Sequence, residues 1–120
     1  MNSGSYHLYI YIKQDIEIKI GSLGMFNLLN GNYIYTGSAM RNLCQRIQRH
    51  LSKKKIIKWH IDYLLTNENV NIEKIEIFPS KEREECKRNL ELINKLNAII
   101  PIKGFGSSDC KVCKAHLIKL

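Results

Sequence analysis

Apolar and polar positions alternate from Tyr6 to Ile12, with Tyr6, Leu8, Ile10 and Ile12 on one face of an extended chain and His7, Tyr9 and Tyr11 on the other. That period of two predicts a strand. Asp15 reads as a turn, after which Ile16, Ile18 and Ile20 alternate with Glu17 and Lys19; this second strand is expected to fold back on the first as a hairpin. Gly21 to Gly31, with glycines at 21, 24 and 31 and asparagines at 27 and 30, reads as a loop. Tyr33, Ile34, Tyr35 and Thr36 are aromatic or β-branched and predict another strand, turning over Gly37, Ser38 and Ala39.

The period then changes to that of a helix. Leu43, Cys44, Ile47 and Leu51 form an apolar stripe, Arg46 and His50 lie on its border four residues apart, and Arg49 points away as a solvated charge. Ser52 to Lys55 form a basic connection. The middle of Ile56 to Leu65 reads as a helix with Trp59, Ile61, Tyr63, Leu64 and Leu65 turned inward, and His60 and Asp62, two apart, on different faces. A strand is expected from about Lys74 to Phe78, ended by Pro79. Ser80 is a fitting N-cap for a helix whose stripe is Cys86, Leu90, Ile93 and Leu96. Glu84 faces away from that stripe, Glu85 sits on its edge and Glu82 is in line with it, so Glu85, then Glu82, is the candidate cleft carboxylate; the plainer role is to complement the helix dipole. Pro101 stops the pattern. Residues 101–120, with Gly104, Phe105 and Gly106 and the apolar Ala115, Leu117, Ile118 and Leu120, read as a packed tail. The expected architecture is α/β of the α+β type: one domain over residues 1–120, a small mostly antiparallel sheet of three to four strands flanked by helices.

Composition narrows the partners. The chain has 120 residues, 44% hydrophobic and 25% charged, which suits a single core. No apolar run approaches the roughly 18 residues that cross a bilayer, and no basic stretch followed by an apolar one opens the chain, so a cytoplasmic location and no membrane partner are expected. The net charge of +8 favours polyanions. Arg41, Arg46, Arg49, Lys53, Lys54, Lys55 and Lys58 occupy a stretch without an acidic residue; it is either a solvated basic face or a groove for a phosphate backbone. Cys44 and Cys86 fall on helical stripes and read as small core residues. Cys110-x-x-Cys113-x-x-His116, with Asp109 adjacent and His60 elsewhere, could hold Zn²⁺ through soft ligands, or could seat the tail beside Trp59 and His60.

Together these pieces resemble the GIY-YIG endonuclease domain over roughly Gly4 to Ile100. Gly4-Ser5-Tyr6 is similar to that family's first motif and Tyr35-Thr36-Gly37 to its second. Arg46 with His50, and Glu85 on a later helix, match the order of the family's arginine, its following histidine or tyrosine, and its carboxylate. Trp59 to Leu64, Glu85-Cys86 and the Gly104-Phe105-Gly106-Ser107-Ser108-Asp109-Cys110 segment followed by His116-Leu117 resemble an uncharacterised, largely prokaryotic branch of the superfamily. Ser5 and Thr36 replace the motif isoleucines. Tyr6 and Tyr35 lie further apart than in typical members, so the intervening segment is expected to be an insertion.

The resemblance implies hydrolysis of DNA phosphodiesters, in repair or recombination, with one divalent metal. Tyr6 would act as general base, with Tyr35 sharing that role or positioning water, if nearby cations lower the phenolic pKa. Arg46 would stabilise the phosphate and Glu85 would hold Mg²⁺ or Mn²⁺. His50 would orient a phosphate or donate to the leaving group. Ser38, Arg41, Arg49, Lys53, Lys54 and Lys55 would face the DNA backbone. His60, Asp62, Asp109, Cys110, Cys113 and His116 could extend the site. A homodimer or a DNA-repair partner protein is compatible with this reading. Two other classes share the same features: a nucleic-acid-binding module without catalysis and a zinc-stabilised interaction domain.

Overall fold

The computed structural model describes residues 2–106 and 115–120; Asp109, Cys110 and Cys113 lie outside them. The architecture is α+β, with a four-stranded antiparallel sheet and a separate two-stranded ribbon. The strands are β1 (Gly4–Ile12), β2 (Ile16–Ile20), β3 (Gly24–Leu28), β4 (Gly31–Ala39), β5 (Val70–Pro79) and β6 (Leu117–Lys119), and the helices are α1 (Leu43–Leu51), α2 (His60–Leu65) and α3 (Glu85–Leu96). The sheet order is β5-β1-β4-β6. Central β1 is covered on both sides: Tyr6, Leu8, Ile10 and Ile12 are buried on one face, and His7 on the other.

The expected hairpin of the first two strands does not form. Both edges of β1 are taken, by β4 and by β5, and β2 pairs instead with β3. The segment read as a loop therefore contains a strand. Its alternation of outward Met25 and Asn27 with inward Phe26 and Leu28 is masked by the glycines that flank it. The ribbon is an excursion, so β1 and β4 remain direct neighbours, with Tyr6 opposite Gly37 and Leu8 opposite Tyr35.

β5 begins at Val70, earlier than its alternation suggests, because the ladder shifts register where Tyr9 pairs with Lys74 and Ile10 with Ile72. Glu73 is the extra residue of that bulge and reverses the pattern across it. In α1 the buried face is Leu43, Ile47 and His50, not a stripe through Cys44 and Leu51, both of which are exposed. A buried histidine has rotated the helix. Its first N–H groups are met from the start of the chain: Cys44 N donates to Asn2 Oδ1 (2.8 Å) and Leu43 N to Asn2 O (3.2 Å). α3 starts at Glu85, and Ser80 Oγ accepts only the Glu82 N–H of the preceding turn (3.0 Å). Its buried residue is Asn89, whose Nδ2 donates to Ala115 O (2.6 Å), while Cys86, Leu90 and Ile93 are half-buried and Leu96 is exposed. The apolar stripe gave way to an amide that holds the tail.

That tail is core. Ile102, Phe105, Ala115, Leu117 and Ile118 are buried, and β6 lies antiparallel to β4 with Tyr35 opposite Leu117. Among the described residues no helix is long and apolar enough to cross a membrane.

Candidate active site

A cavity of about 630 Å³ opens beside the β1–β4 pair. Two strands, three helices and the tail contribute to its wall: Tyr6 from β1, Tyr35, Gly37 and Ser38 from β4, Arg46 and His50 from α1, His60 from α2 with Lys58 and Trp59 just before it, Glu85 and Cys86 from α3 with Arg83 just before it, and Gly106 and His116 from the tail. Tyr6, Tyr35, Arg46, His50 and Glu85, far apart in the chain, thus share one space. Tyr6 Oη and His50 Nε2 are 2.8 Å apart. Cross-strand Gly37 is what admits the phenol, since a Cβ there would stand 2.6 Å from Tyr6 Oη. Arg46 Nη1 donates to Ser38 O (2.7 Å), and Ser38 Oγ donates to Glu85 Oε2 (2.5 Å). Glu85 Oε1 lies 3.9 Å from Arg83. Glu82 is exposed and does not line the cavity.

The titration behaviour runs against the sequence expectation for the tyrosines. Burial pushes the Tyr6 hydroxyl well above its ordinary pKa, with Tyr35 adding to the rise and Arg46 opposing it. Tyr35 is also raised, again by burial against the pull of Arg46. Desolvation of a phenolate outweighs one guanidinium. His50 moves the other way: burial, then the charge of Lys55, lowers it to about 4. It is a neutral imidazole at physiological pH, and its Nδ1 is buried without a hydrogen-bond partner among the described residues.

Several basic residues are engaged inward. Arg49 is not a solvated charge: its guanidinium forms a two-pronged pair with Asp62, 2.9 Å to each oxygen, and donates to Ile56 O (2.6 Å). Asp62 is fully buried, off the cavity wall, and also accepts the N–H groups of Lys58 and Trp59. Burial alone would raise its pKa, but Arg49 and those two N–H groups hold it below the usual carboxylate range. Lys53 Nζ donates to Asn67 O and Val70 O, and Lys55 Nζ to His50 O; Lys53 is nonetheless exposed and Lys55 half-buried. Lys54 and Arg41 are exposed. Lys58, Trp59 and Arg83, which the sequence reading assigned no catalytic part, do line the cavity.

A profile for the domain of unknown function DUF123 matches residues 5–120. The chain belongs to DUF123. No curated protein and no solved structure matches it. The DUF123 match runs from β1 through β6 and so takes in every residue of the cavity wall.

His60 and His116 form the far side of the DUF123 cavity. His60 Nδ1 accepts the N–H of Gly106 (2.9 Å), and its ring meets Phe105 at 5.7 Å. His116 Nε2 lies 3.3 Å from Cys86 Sγ. Burial lowers the pKa of both histidines. Among the described residues no group of three or more His, Cys, Asp or Glu side chains could hold a metal ion; Asp109, Cys110 and Cys113 fall outside them. Among the described residues Glu85 is the one carboxylate on the wall. That suits a hard cation that keeps several waters and takes further oxygens from a bound phosphate, and does not suit a closed all-protein cage.

Proposed function

We propose that this DUF123 domain is a metal-dependent DNA endonuclease of the GIY-YIG type, acting in repair or recombination. One observation carries the reading: Tyr6, Tyr35, Arg46, His50 and Glu85 come from four separate elements and converge on one open cavity. Glu85 would hold Mg²⁺ or Mn²⁺, which when bound would neutralise charge on the scissile phosphate. The remaining work falls to the chain. Arg46, a permanently charged fork already tied to the Ser38 carbonyl, faces the cavity where a phosphate gathers negative charge. Water loses its proton toward the Tyr6–His50 pair. Tyr6 Oη accepts that proton as its own passes to neutral His50 Nε2, so the buried phenol need never exist as a free phenolate. The water oxygen bonds to phosphorus, the bond to the leaving oxygen breaks, and that oxygen is protonated from solvent. Arg83 and Lys58 on the rim, with exposed Lys54 and Arg41, hold the DNA backbone without reading its sequence.

The test is cleavage of labelled duplex, single-stranded and branched DNAs with Mg²⁺ or Mn²⁺ by the wild type, Glu85→Ala and Tyr6→Phe. Metal-dependent cutting that both variants lose, with DNA affinity kept, is the expected result. Wild-type protein that binds every DNA and cuts none would reduce the domain to a binding module.

A further inference from the structure

The connection between α1 and α2, residues 52–59, is built the wrong way round for a solvated loop. Lys53 and Lys55 turn their ammonium groups back onto backbone carbonyls, while Ile56 stands 89% exposed. Leu51 and Ile57 on either side are exposed as well. A single exposed isoleucine is ordinary. Here, however, the backbone that presents it is fixed from both ends. Arg49 donates to the Ile56 carbonyl, Asp62 accepts the N–H groups of Lys58 and Trp59, and Arg49 and Asp62 hold each other. Ser52 Oγ also donates to Lys54 O (2.9 Å). This half-buried ion pair therefore keeps an apolar side chain in water, two residues from Lys58 on the cavity wall.

We infer that Ile56 is a wedge that enters the base stack of DNA whose phosphate occupies the cavity, with exposed Lys54 and Lys58 on the flanking phosphates. This inference rests on the nuclease reading above and deepens it by naming a substrate class. The charge around the wedge selects the occupant: no acidic residue lies between Arg41 and Lys58, and the chain carries +8. Apolar wedges flanked by cations unstack and kink duplexes, and insertion is least costly where stacking is already weakened. The favoured substrate is thus DNA with a mismatch, bulge or branch, and its recognition is separate from the chemistry at Glu85.

The experiment uses two short duplexes without metal, one fully paired and one with a central T·T mismatch beside 2-aminopurine, and compares wild type with Ile56→Ala and Ile56→Ser. Wild type binds the mismatched duplex about tenfold more tightly than the paired one and raises 2-aminopurine emission as the stack opens. Both variants lose the preference and the emission change, yet keep the wild-type melting temperature and their affinity for paired DNA. Variants that keep the preference and the emission change overturn the wedge and leave the nuclease reading intact. Wild type that binds neither duplex overturns both. If the substitutions instead convert a dimer to a monomer in sedimentation, Ile56 is a contact between copies and the wedge is wrong.

Discussion

Gly37 shows how much of this site hangs on a missing methyl group. A Cβ at that position would meet Tyr6 Oη at 2.6 Å and Cζ at 2.7 Å, inside any tolerable contact. Gly37→Ala should therefore cost about 1–3 kcal/mol in chemical denaturation and displace the phenol from His50, cutting any cleavage far more than binding. Asp62 is a second single-residue test. Asp62→Ala strips Arg49 and two backbone N–H groups of their acceptor in a buried setting and should cost about 3–5 kcal/mol. Arg46→Ala, by contrast, should leave the fold near its wild-type stability and lower turnover by about 100-fold or more, measured at saturating DNA. That Tyr6, Tyr35, Arg46, His50 and Glu85 meet at one cavity was legible in the sequence, because their order along the chain resembles a known pattern and because helical spacing put Arg46 and His50 side by side. Arg49 was not. Its partner Asp62 lies on another helix, and no periodicity within one element reports an ion pair between two.

At the level of elements, local period was informative wherever one neighbour decided a residue's environment, and failed where two competed. β1 and the end of β5 at Pro79 follow directly from alternation and from proline's missing donor, whereas β4 does not turn at Gly37, Ser38 and Ala39 as expected but runs on through them, because Tyr6, Ser5 and Gly4 of β1 pair with them across the ladder. The partner of β2 does not follow either, since its own sequence fits β1 as well as β3, and the choice is made by β5 arriving from residue 70 to take the free edge. α3 makes the same point. Its stripe of Cys86, Leu90, Ile93 and Leu96 reads as a core face, yet Asn89 is the side chain that is buried, because the tail's Ala115 carbonyl needs a donor there. Asn89→Leu, which improves the amphipathic pattern, should nonetheless destabilise the domain by about 1–3 kcal/mol and loosen the tail, seen as faster amide exchange across β6.

For the whole molecule, the four histidines act together. His7, His50, His60 and His116 are each held below their ordinary pKa by burial. Asp62 is also lowered, by Arg49 and its N–H donors against the effect of burial. In every case the unfolded chain binds protons more readily than the folded one as the medium becomes acid. Stability contributed by the neutral histidines is thus fully present above about pH 6.5, falls as the pH drops toward the folded values, which for His50 is about 4, and is joined near that pH by the loss from Asp62. Melting temperature measured from pH 8 to 4 should fall continuously through this window, and His50→Phe should flatten the curve. The tyrosines set the opposite limit. Tyr6, Tyr9, Tyr33 and Tyr35 are all raised, Tyr9 and Tyr33 to about 12, so stability present below pH 10 is lost above it as the unfolded phenols ionise first.

The lone tryptophan adds a practical property to this arrangement. Trp59 is the chain's single indole, and Arg46, Arg49 and Lys58 all place their charges 4.5–4.8 Å from its ring centre. Two of those cations, Arg46 and Lys58, also line the cavity. An anion drawn into that space must pull them toward itself and away from the π-face, so the emission wavelength and intensity of the native protein become an optical gauge of cavity occupancy. Titration with a phosphate-bearing oligonucleotide can then be followed without dye or label, and an Arg46→Ala variant, which leaves only Lys58 to link cavity and ring, should show a smaller Trp59 response.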